Sequence, residues 1–395
     1  MGTRSGVGIS HHRNPKKAGQ EASEQALQQA GIDSPDFVLV FSSVGYHQKL
    51  LLSTVRNLTQ KAPLIGCSGE GVVVQGEADE SNFSVAVMVL QSDEIRFEHG
   101  GRAGLTQDVL ETGHEVGKAL ADKYTEDAIA TLLFADGISC NFDKLMLGLE
   151  SQFPQATEIP IVGGLAADNY SMKTTYQYID DTILTDGVVW ATLAGKAKFT
   201  LAINHGCVPL GSKYTVTKAQ HNEIFELDHR PVLEVLKPYL LDKEMENWEL
   251  AFINLCLGIK TSTILQDYDD FLVRGIVSRD IAAGSVKIPS EIAEGTEIWI
   301  VRRDEEKIAA GLNKIAQETH DQLGGNIPKF IFHLECAGRG DVVLRSDRKR
   351  ALMNKLQASI GSDIPWIGVY PYGEIGPLQG RNCFHNYTSI ITSVY

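Results

Sequence analysis

The stretch PLIGCSGEGVVV, residues 63–74, holds the residue types of a covalent catalyst, because a cysteine and a serine stand among closely spaced glycines. A nucleophile elbow requires the order Gly-x-Ser-x-Gly, but here Glu70 occupies the place of the second glycine. A dinucleotide-binding loop requires a helix after its glycines, whereas three valines follow these. We therefore interpret the stretch as a bend or a ligand-lining loop, with a hydrolase that uses Cys67 or Ser68 as the alternative.

Three of the eleven histidines follow or begin apolar segments beside glycine or aromatic residues: His205, His333 and His385. A neutral imidazole at such a place could coordinate a metal or a haem iron if its other nitrogen has an orienting partner. The chain has no CxxCH motif, so covalent haem attachment is excluded. No cluster of histidine and cysteine has the spacing of a zinc site, and a structural role is the simpler interpretation of each histidine.

Other polar residues stand near the ends of apolar segments, where pocket residues often lie. Cys207 follows the first of these histidines by two positions, and Glu335 and Cys336 stand where an apolar segment opens into a glycine turn. Arg339 could balance an acidic ligand or pair with Asp341. No two carboxylates have a spacing that identifies general acid–base catalysis, so we assign no catalytic residue.

The elements that must position these residues alternate along the chain. Apolar residues return every three or four positions in segments 18–30, 105–120, 308–323 and 352–360, which predicts four amphipathic helices. Three of these segments end at glycine, as helices often do. Short and nearly continuous apolar segments such as FVLVFSSV and KFIFHLE predict strands that are buried on both faces.

A weak internal repeat orders these elements as a strand, a helix, a strand broken by glycine, and a further strand. The copies run from FVLVFSSV through PLIGCSGEG to SNFSVAVMVL, from ATLLFADG through IPIVGGLAAD to DGVVWATLAG, and from KFIFHLECAG through IPWIGVYPYGEIG to HNYTSIITSVY. General similarity among β-α-β segments is the alternative. If the repeat is real, His99 corresponds to His205, and the facing units leave a crevice for a ligand.

Composition narrows the class of protein. The formal net charge of −14 opposes binding to nucleic acid or to an anionic membrane, because both require an excess of basic residues. No apolar run approaches the roughly 20 residues of a membrane-spanning helix. Six scattered cysteines without a CxxC pair favour a reducing cytoplasm.

Several longer motifs resemble the FIST family, in which a FIST N and a FIST C domain are paired. The FIST N-like motifs are PLIGCSGEG, VGGLAADN and GCVPLGSKYTVTKAQHNEIFELDHRPVLEVL; the FIST C-like motifs are FLVRGIVSRDIAAGSVKIPSEIAEGTEIWIV, FHLECAGRG and YPYGEIGPLQGRNCFHNYTSII. The resemblance implies a FIST N-like domain at 1–230, with related halves near 36–100 and 130–206, and a FIST C-like domain at 231–395. We expect an α+β fold of two domains, with mixed sheets, packed helices and internally repeated β-α-β-β units.

The resemblance further implies a cytoplasmic sensor of a small molecule or gas rather than an enzyme. A free-standing pair of FIST domains is similar to the haem-based nitric oxide sensors of the family, which regulate a separate histidine kinase. His205 is then the first candidate for the iron ligand, followed by His385 and His333. The residues expected to line the pocket are Gly66, Cys67, Gly69, Glu70, Gly163, Gly164, Cys207, Glu335, Arg339, Tyr372 and Glu374.

A second hypothesis is a sensor or adaptor that binds an organic metabolite, such as an amino acid, without haem. Optical absorption of the purified protein separates the two hypotheses. The signalling partner and the oligomeric state, including a homodimer, stay open.

Overall fold

The computed structural model describes residues 2–260 and 271–395. The first repeat comprises β1 (Thr3–Ser10), α1 (Pro15–Ala30), β2 (Phe37–Ser42), α2 (Gln48–Leu58), β3 (Leu64–Ser68), β4 (Val72–Val74), β5 (Glu77–Asp79) and β6 (Val85–Ser92). The second repeat has the same order, with β7 (Ile95–Ala103), α3 (Val109–Lys123), β8 (Ala128–Ala135), α4 (Phe142–Gln152), β9 (Ile161–Leu165), β10 (Gln177–Ile179), β11 (Thr182–Leu184) and β12 (Gly187–Gly195).

The third repeat is interrupted by a long insertion after its first strand. That strand is β13 (Phe199–His205), and the insertion holds β14 (Cys207–Pro209), β15 (Tyr214–Gln220), β16 (Glu223–Leu227), β17 (Arg230–Pro231), α5 (Val232–Leu236), α6 (Asp242–Glu246), α7 (Trp248–Asn254), β18 (Leu255–Ile259), β19 (Leu272–Gly275), β20 (Ser278–Asp280), β21 (Ser285–Lys287) and β22 (Glu297–Arg303). The repeat resumes with α8 (Glu305–Leu323), β23 (Phe330–Glu335), α9 (Ser346–Ile360), β24 (Trp366–Val369), β25 (Gly373–Leu378), β26 (Arg381–His385) and β27 (Thr388–Val394).

The first helix shows how local sequence determines these elements. Asn14 caps α1 by accepting hydrogen bonds from the amides of Lys16 and Lys17, and Gly31 ends the helix at a φ of 63°. Three alanines of the predicted segment 18–30, Ala18, Ala22 and Ala26, form a buried stripe, and it lies so close to β1 that a Cβ on Gly8 would come within 2.1 Å of the carbonyl oxygen of Ala22. Small residues on both elements therefore permit the close packing.

Each repeat contributes four strands to one six-stranded sheet, and all three sheets share one strand order. The orders are β1-β6-β2-β3-β10-β11, β7-β12-β8-β9-β25-β26 and β13-β27-β23-β24-β4-β5. In each sheet the third and fourth strands in this order are parallel to each other. Each of these two strands pairs antiparallel with its neighbour on the other side. The final hairpin of each sheet comes from a different repeat, so the three copies interlock in a cycle. The predicted α+β fold with mixed sheets and internal repeats is confirmed.

One central core joins the three sheets. Phe41, Phe134 and Phe332, one from each repeat, have ring centroids 5.2 to 5.9 Å apart. The opposite face of each sheet packs on its own pair of helices, which form three further apolar clusters. The strands are therefore buried on both faces, as their continuous apolar character predicts.

The glycine-broken strands are the places where the chain crosses from one sheet to the next. Three equivalent backbone hydrogen bonds close a ring there: Ala167 N to Ser68 O (3.0 Å), Tyr372 N to Leu165 O (2.9 Å) and Glu70 N to Tyr370 O (2.9 Å). A Cβ on Gly66 would lie 1.8 Å from the carbonyl oxygen of Val40, so the crossing requires glycine. The stretch that begins at Pro63 is therefore a structural bend between sheets.

Strand register corrects one expected equivalence. In the second repeat Gly163, Leu133, Trp190 and Gly100 lie side by side, and the corresponding row of the third repeat is Gly368, His333, Ile391 and Ala202. Gly100 therefore corresponds to Ala202, and three residues further along the two strands Ala103 corresponds to His205. His99 does not. The expectation that the two histidines correspond is wrong, because it matched the letters His-Gly rather than the register.

The insertion forms a nine-stranded sheet of its own, β19-β18-β22-β15-β16-β21-β20 with β14 and β17 attached. The expected boundary between residues 230 and 231 falls within β17, and β14 and β15 before it pair with β22 after it. The two regions thus share hydrogen-bonded strands.

Candidate ligand-binding cleft

A cleft of about 280 Å³ lies between the second repeat, the third repeat and the insertion. Its wall includes Leu165 and Tyr170 from the second repeat, Ile276 and Arg303 from the insertion, and Cys336 and Phe384 from the third. It lies beyond the carboxyl ends of the parallel strands β8, β9, β23 and β24, where α/β sheets commonly bind ligands. The insertion thus forms a third side of a cleft at the junction between two repeats.

The wall is mostly apolar, and its phenols are oriented by hydrogen bonds. Tyr372 donates its hydroxyl to Asp168 Oδ1 at 2.6 Å, and Tyr170 donates to the carbonyl oxygen of Ala337 at 2.7 Å. The two rings lie 5.9 Å apart. Because both hydroxyls are occupied, these residues present mainly ring surface to the cleft.

The loop that carries Tyr170 is strained and held by one carboxylate. Asn169, Tyr170 and Met172 all have positive φ angles, of 57°, 54° and 50°, which are uncommon for residues other than glycine. The buried Asp168 accepts bonds from the backbone amides of residues 172, 173 and 174 at 2.6 to 2.9 Å. Burial alone would raise the pKa of Asp168, but these bonds and those from Ser171 and Tyr372 lower it. Strain of this kind concentrates at functional sites.

Arg303 is the one charged residue among the described residues of the wall. Its side chain is buried, its guanidinium lies 4.7 Å from the centroid of the Tyr387 ring, and it donates to the carbonyl oxygen of Gly338 and to Asn254 Oδ1. Its Nε has no hydrogen-bond partner among the residues that the structure describes. The site therefore has an apolar wall and one cationic point.

Burial favours the neutral forms of Cys336 and Glu374 at the base of the cleft. The Cys336 sulfur accepts the Tyr387 amide at 3.1 Å, and burial raises the pKa of its thiol. Glu374 accepts from the amide and hydroxyl of Thr388, at 3.0 and 2.7 Å, and burial raises its pKa to about 8. A buried neutral thiol is a poor nucleophile, so this arrangement favours binding over covalent chemistry.

The structure places some of the predicted pocket residues at the cleft and others in the core. Tyr372 lies in the wall of the cleft, and Glu70 lies directly behind the wall, where it accepts the Tyr170 amide at 2.8 Å. Glu374 supports the base, as described above. Residues packed at the crossings of the central core or beside it are Gly66, Cys67, Gly69, Gly163 and Gly164.

The remaining predicted pocket residues make internal contacts. Cys207 is completely buried beside Cys256. Arg339 donates to Glu335 Oε1 at 2.7 Å within the protein interior, so its ion-pair partner is Glu335 rather than Asp341. These side chains position the cleft from behind rather than facing it.

The alternative of a hydrolase finds no support in the geometry. Cys67 is fully buried in the central core, and burial raises the pKa of its thiol. Ser68 donates its hydroxyl to the carbonyl oxygen of Ala167 at 2.7 Å and is also fully buried. Neither side chain is presented to a substrate.

The three candidate iron ligands are core residues, and none lies in the described wall of the cleft. His205 Nδ1 accepts the Cys207 amide at 3.1 Å, and its ring lies 4.7 Å from that of Phe271. His385 donates Nε2 to the Gly376 carbonyl oxygen at 2.9 Å, and burial lowers its pKa to about 3.

His333 has both ring nitrogens engaged. Nδ1 accepts from Trp366 at 3.3 Å, and Nε2 lies 3.1 Å from Glu335 and 3.0 Å from Ser389. The three imidazoles as arranged therefore do not fit an axial haem ligand at the cleft. Across residues 2–260 and 271–395, no three His, Cys, Asp or Glu side chains are grouped so that they could hold a metal ion.

Models of two known domains match the chain. The FIST N domain matches residues 36–230, and the FIST C domain matches residues 233–377. The chain belongs to the FIST family. FIST domains are sensory ligand-binding domains of signalling proteins, and the cleft lies where the FIST N and FIST C regions meet.

Relatives with the same extent occur in mycobacteria. An uncharacterised protein of Mycobacterium tuberculosis is 27% identical over 391 residues, covering 98% of each chain. One from Mycobacterium bovis is 25% identical over 401 residues, covering 98% of this FIST chain and 97% of its own. A crystal structure of a chorismatase aligns with 100% of this chain and 99% of that chain, with 9% identity and a TM-score of 0.34.

No helix within the described parts of the FIST chain combines the length and the apolar character that crossing a membrane requires. The sequence motifs did not single out Arg303 or Phe384 as wall residues. The available signal for Arg303 was the end of the apolar segment EIWIVRR, where two arginines follow a buried strand. Alternation along that strand places them on opposite faces.

Proposed function

We propose that this chain is a sensory protein that binds a small organic molecule in the cleft between its FIST N and FIST C regions. The cleft itself carries the proposal, because it is mostly apolar, bounded by three separate parts of the fold and lined by oriented aromatic rings. No catalytic group is required, since occupancy of the cleft is the signal.

The ligand would act by linking parts that belong to different repeats. It would contact the strained loop at Tyr170, the turn that begins at Ala337 and the inserted strand that ends at Arg303. A molecule that contacts all three favours any conformation in which they are close, and so shifts the population toward it. A separate signalling protein, such as a histidine kinase, would read the changed surface.

Haem-based sensing of nitric oxide stays a prediction. The buried and bonded histidines give it no support, because an iron ligand would have to leave its present contacts. Incubation with haemin tests it directly: a Soret band that moves with nitric oxide and is lost in His205→Ala would favour haem over an organic ligand.

The proposal is tested with a library of organic compounds that includes amino acids, screened by thermal shift on the full chain. Val277 lies in the wall and is 56% exposed, so Val277→Trp should fill the cleft without disturbing the core. Ile281, 73% exposed and outside the wall, gives the matched control Ile281→Trp. We expect the screen to identify compounds whose binding weakens at least about 10-fold in Val277→Trp but not in the control. If no compound shows this difference, the proposal is wrong.

A further inference from the structure

The cleft contains a buried cation that lacks a carboxylate partner. Arg303 is only 8% exposed, and among the described residues no carboxylate lies within ion-pair distance of it. Buried charges in proteins are normally paired, because removing an ion from water is costly. A bound ligand could supply the anion that the described residues do not.

The neighbouring Arg302 provides a comparison, because its guanidinium has a carboxylate partner. Arg302 lies on the other face of the same strand and donates to both oxygens of Glu244 at 2.8 Å. Among the described residues Arg303 has two neutral acceptors, the Gly338 carbonyl oxygen and Asn254 Oδ1, for a group with five N–H donors. Its Nε is among the donors without a partner in the described residues. A carboxylate could supply the paired acceptors that a guanidinium prefers.

The rest of the cleft wall indicates the polarity and size of the uncharged part of the ligand. Apart from Asn386, the residues that line the cleft with Arg303 are small, apolar or aromatic, including Ile276, Phe384 and Tyr387. A cavity of roughly 150 Å³ holds benzene, so about 280 Å³ has room for a ring and a short chain. A phosphate group is disfavoured, because its charge approaches two at neutral pH and the described wall offers a single cation.

We infer that the cleft binds a small organic carboxylic acid with an apolar body of ring size, whose carboxylate pairs with Arg303. This inference rests on the proposed function and names the chemical class of its ligand. Arg303 then acts as a specificity residue that selects acids over neutral molecules of the same shape.

The test is calorimetric titration of the full chain with matched probes. The probes are 3-phenylpropionate, 3-cyclohexylpropionate and hexanoate, each with its amide, and phenyl phosphate. We expect at least one acid to bind at least about 10-fold more tightly than its amide and more tightly than phenyl phosphate. Arg303→Met should abolish that preference and leave the affinity for the amide within about 3-fold. Arg345→Met, which changes an arginine whose side chain is 88% exposed, should keep the preference.

Arg303→Lys covers the case in which the methionine variant does not fold. It retains the charge but loses the planar fork, so the acid should bind at least about 5-fold more weakly while the amide is unaffected. The inference is overturned if acids and amides bind alike, if the preference survives in Arg303→Met, or if no acid binds. Should neutral compounds still bind in a way that depends on Val277, only this inference fails. Should no compound depend on Val277, the proposed function fails with it.

Discussion

Glu335 accepts a hydrogen bond from Arg339 Nε at 2.7 Å, and the two side chains are only 2% and 0% exposed. Their contact ties the end of β23 to the turn that follows it, and Cys336 and Ala337 between them form part of the cleft wall. An internal ion pair thus fixes the geometry of the proposed binding surface, although neither partner lies in its described wall.

Breaking this pair should destabilise the protein strongly. Glu335→Gln leaves Arg339 as an uncompensated buried cation, which costs about 3–5 kcal/mol of unfolding free energy. Urea denaturation measures the loss. The double variant Glu335→Leu with Arg339→Met removes both charges and should recover at least half of it; a double variant as unstable as the single one would contradict the account.

The same pair predicts a loss of stability in acid. Burial opposes ionisation of Glu335, but Arg339 and His333 outweigh it and lower the pKa of Glu335 to about 2. A carboxyl group whose folded pKa lies below its unfolded value near 4.3 stabilises the fold above that value. Its contribution should therefore fall as the pH drops from about 4.5 toward 2. The wild type should show this decline in urea midpoints, and Glu335→Gln should show less of it.

Glu374 should have the opposite effect on how the stability of the fold depends on pH. Burial raises its folded pKa to about 8, above its unfolded value, so the folded state holds a proton that the unfolded state releases. Stability should decline as the pH rises from about 4.5 to 8, by up to ~1.4 kcal/mol per pH unit from this group. Glu374→Gln keeps the shape without titrating, so it should flatten the decline between pH 5 and 8. An unchanged slope in this variant would show that Glu374 is ionised in the fold.

Asp168 should control the order of the strained loop at the cleft. Asp168→Asn replaces one carboxylate oxygen with a donor, so amides of residues 172–174 lose part of their acceptor. We expect hydrogen exchange across 169–174 to quicken at least about 10-fold, and ligand affinity to fall with it. Ser171→Ala removes a single hydroxyl bond to the same carboxylate and is the milder control. Equal exchange rates in wild type and Asp168→Asn would sink this explanation.

Gly66 should tolerate no side chain. Gly66→Ala would place a Cβ 1.8 Å from the carbonyl oxygen of Val40, so the parallel pair of β2 and β3 would have to separate. We expect a loss of more than about 3 kcal/mol or failure to fold, as for other severe backbone clashes. Gly76→Ala is the control, since no atom lies within 4 Å there and only its positive φ is strained. Circular dichroism during heating distinguishes the two variants.

The repeat, although weak, could be predicted from the sequence because its helices and strands have local signals. Glycine after α1, the alanine stripe of that helix and the broken apolar strand at Gly66 are all readable from neighbouring residues. The exchange of hairpins between repeats could not be predicted from the sequence. The pairing of β9 with β25 joins residues about two hundred positions apart and depends on how whole repeats pack together.

The cleft was harder to predict than the fold for the same reason. Tyr372 was expected in the pocket because it lies in a motif that resembles the FIST family, but Arg303 comes from an insertion whose position over the second repeat no local pattern encodes. The polar residues with the most conspicuous spacing, Glu335 and Arg339, proved to satisfy each other.

The exchanged hairpins also constrain the order in which the chain can acquire its structure during synthesis. The second sheet ends in β25 and β26, so the strand β9 has no partner on one side until residues 373–378 have left the ribosome. Until then a buried strand of the FIST N region exposes an unpaired edge, which is the kind of surface that aggregates or recruits chaperones. The nascent protein is therefore expected to become protease-resistant in one late step.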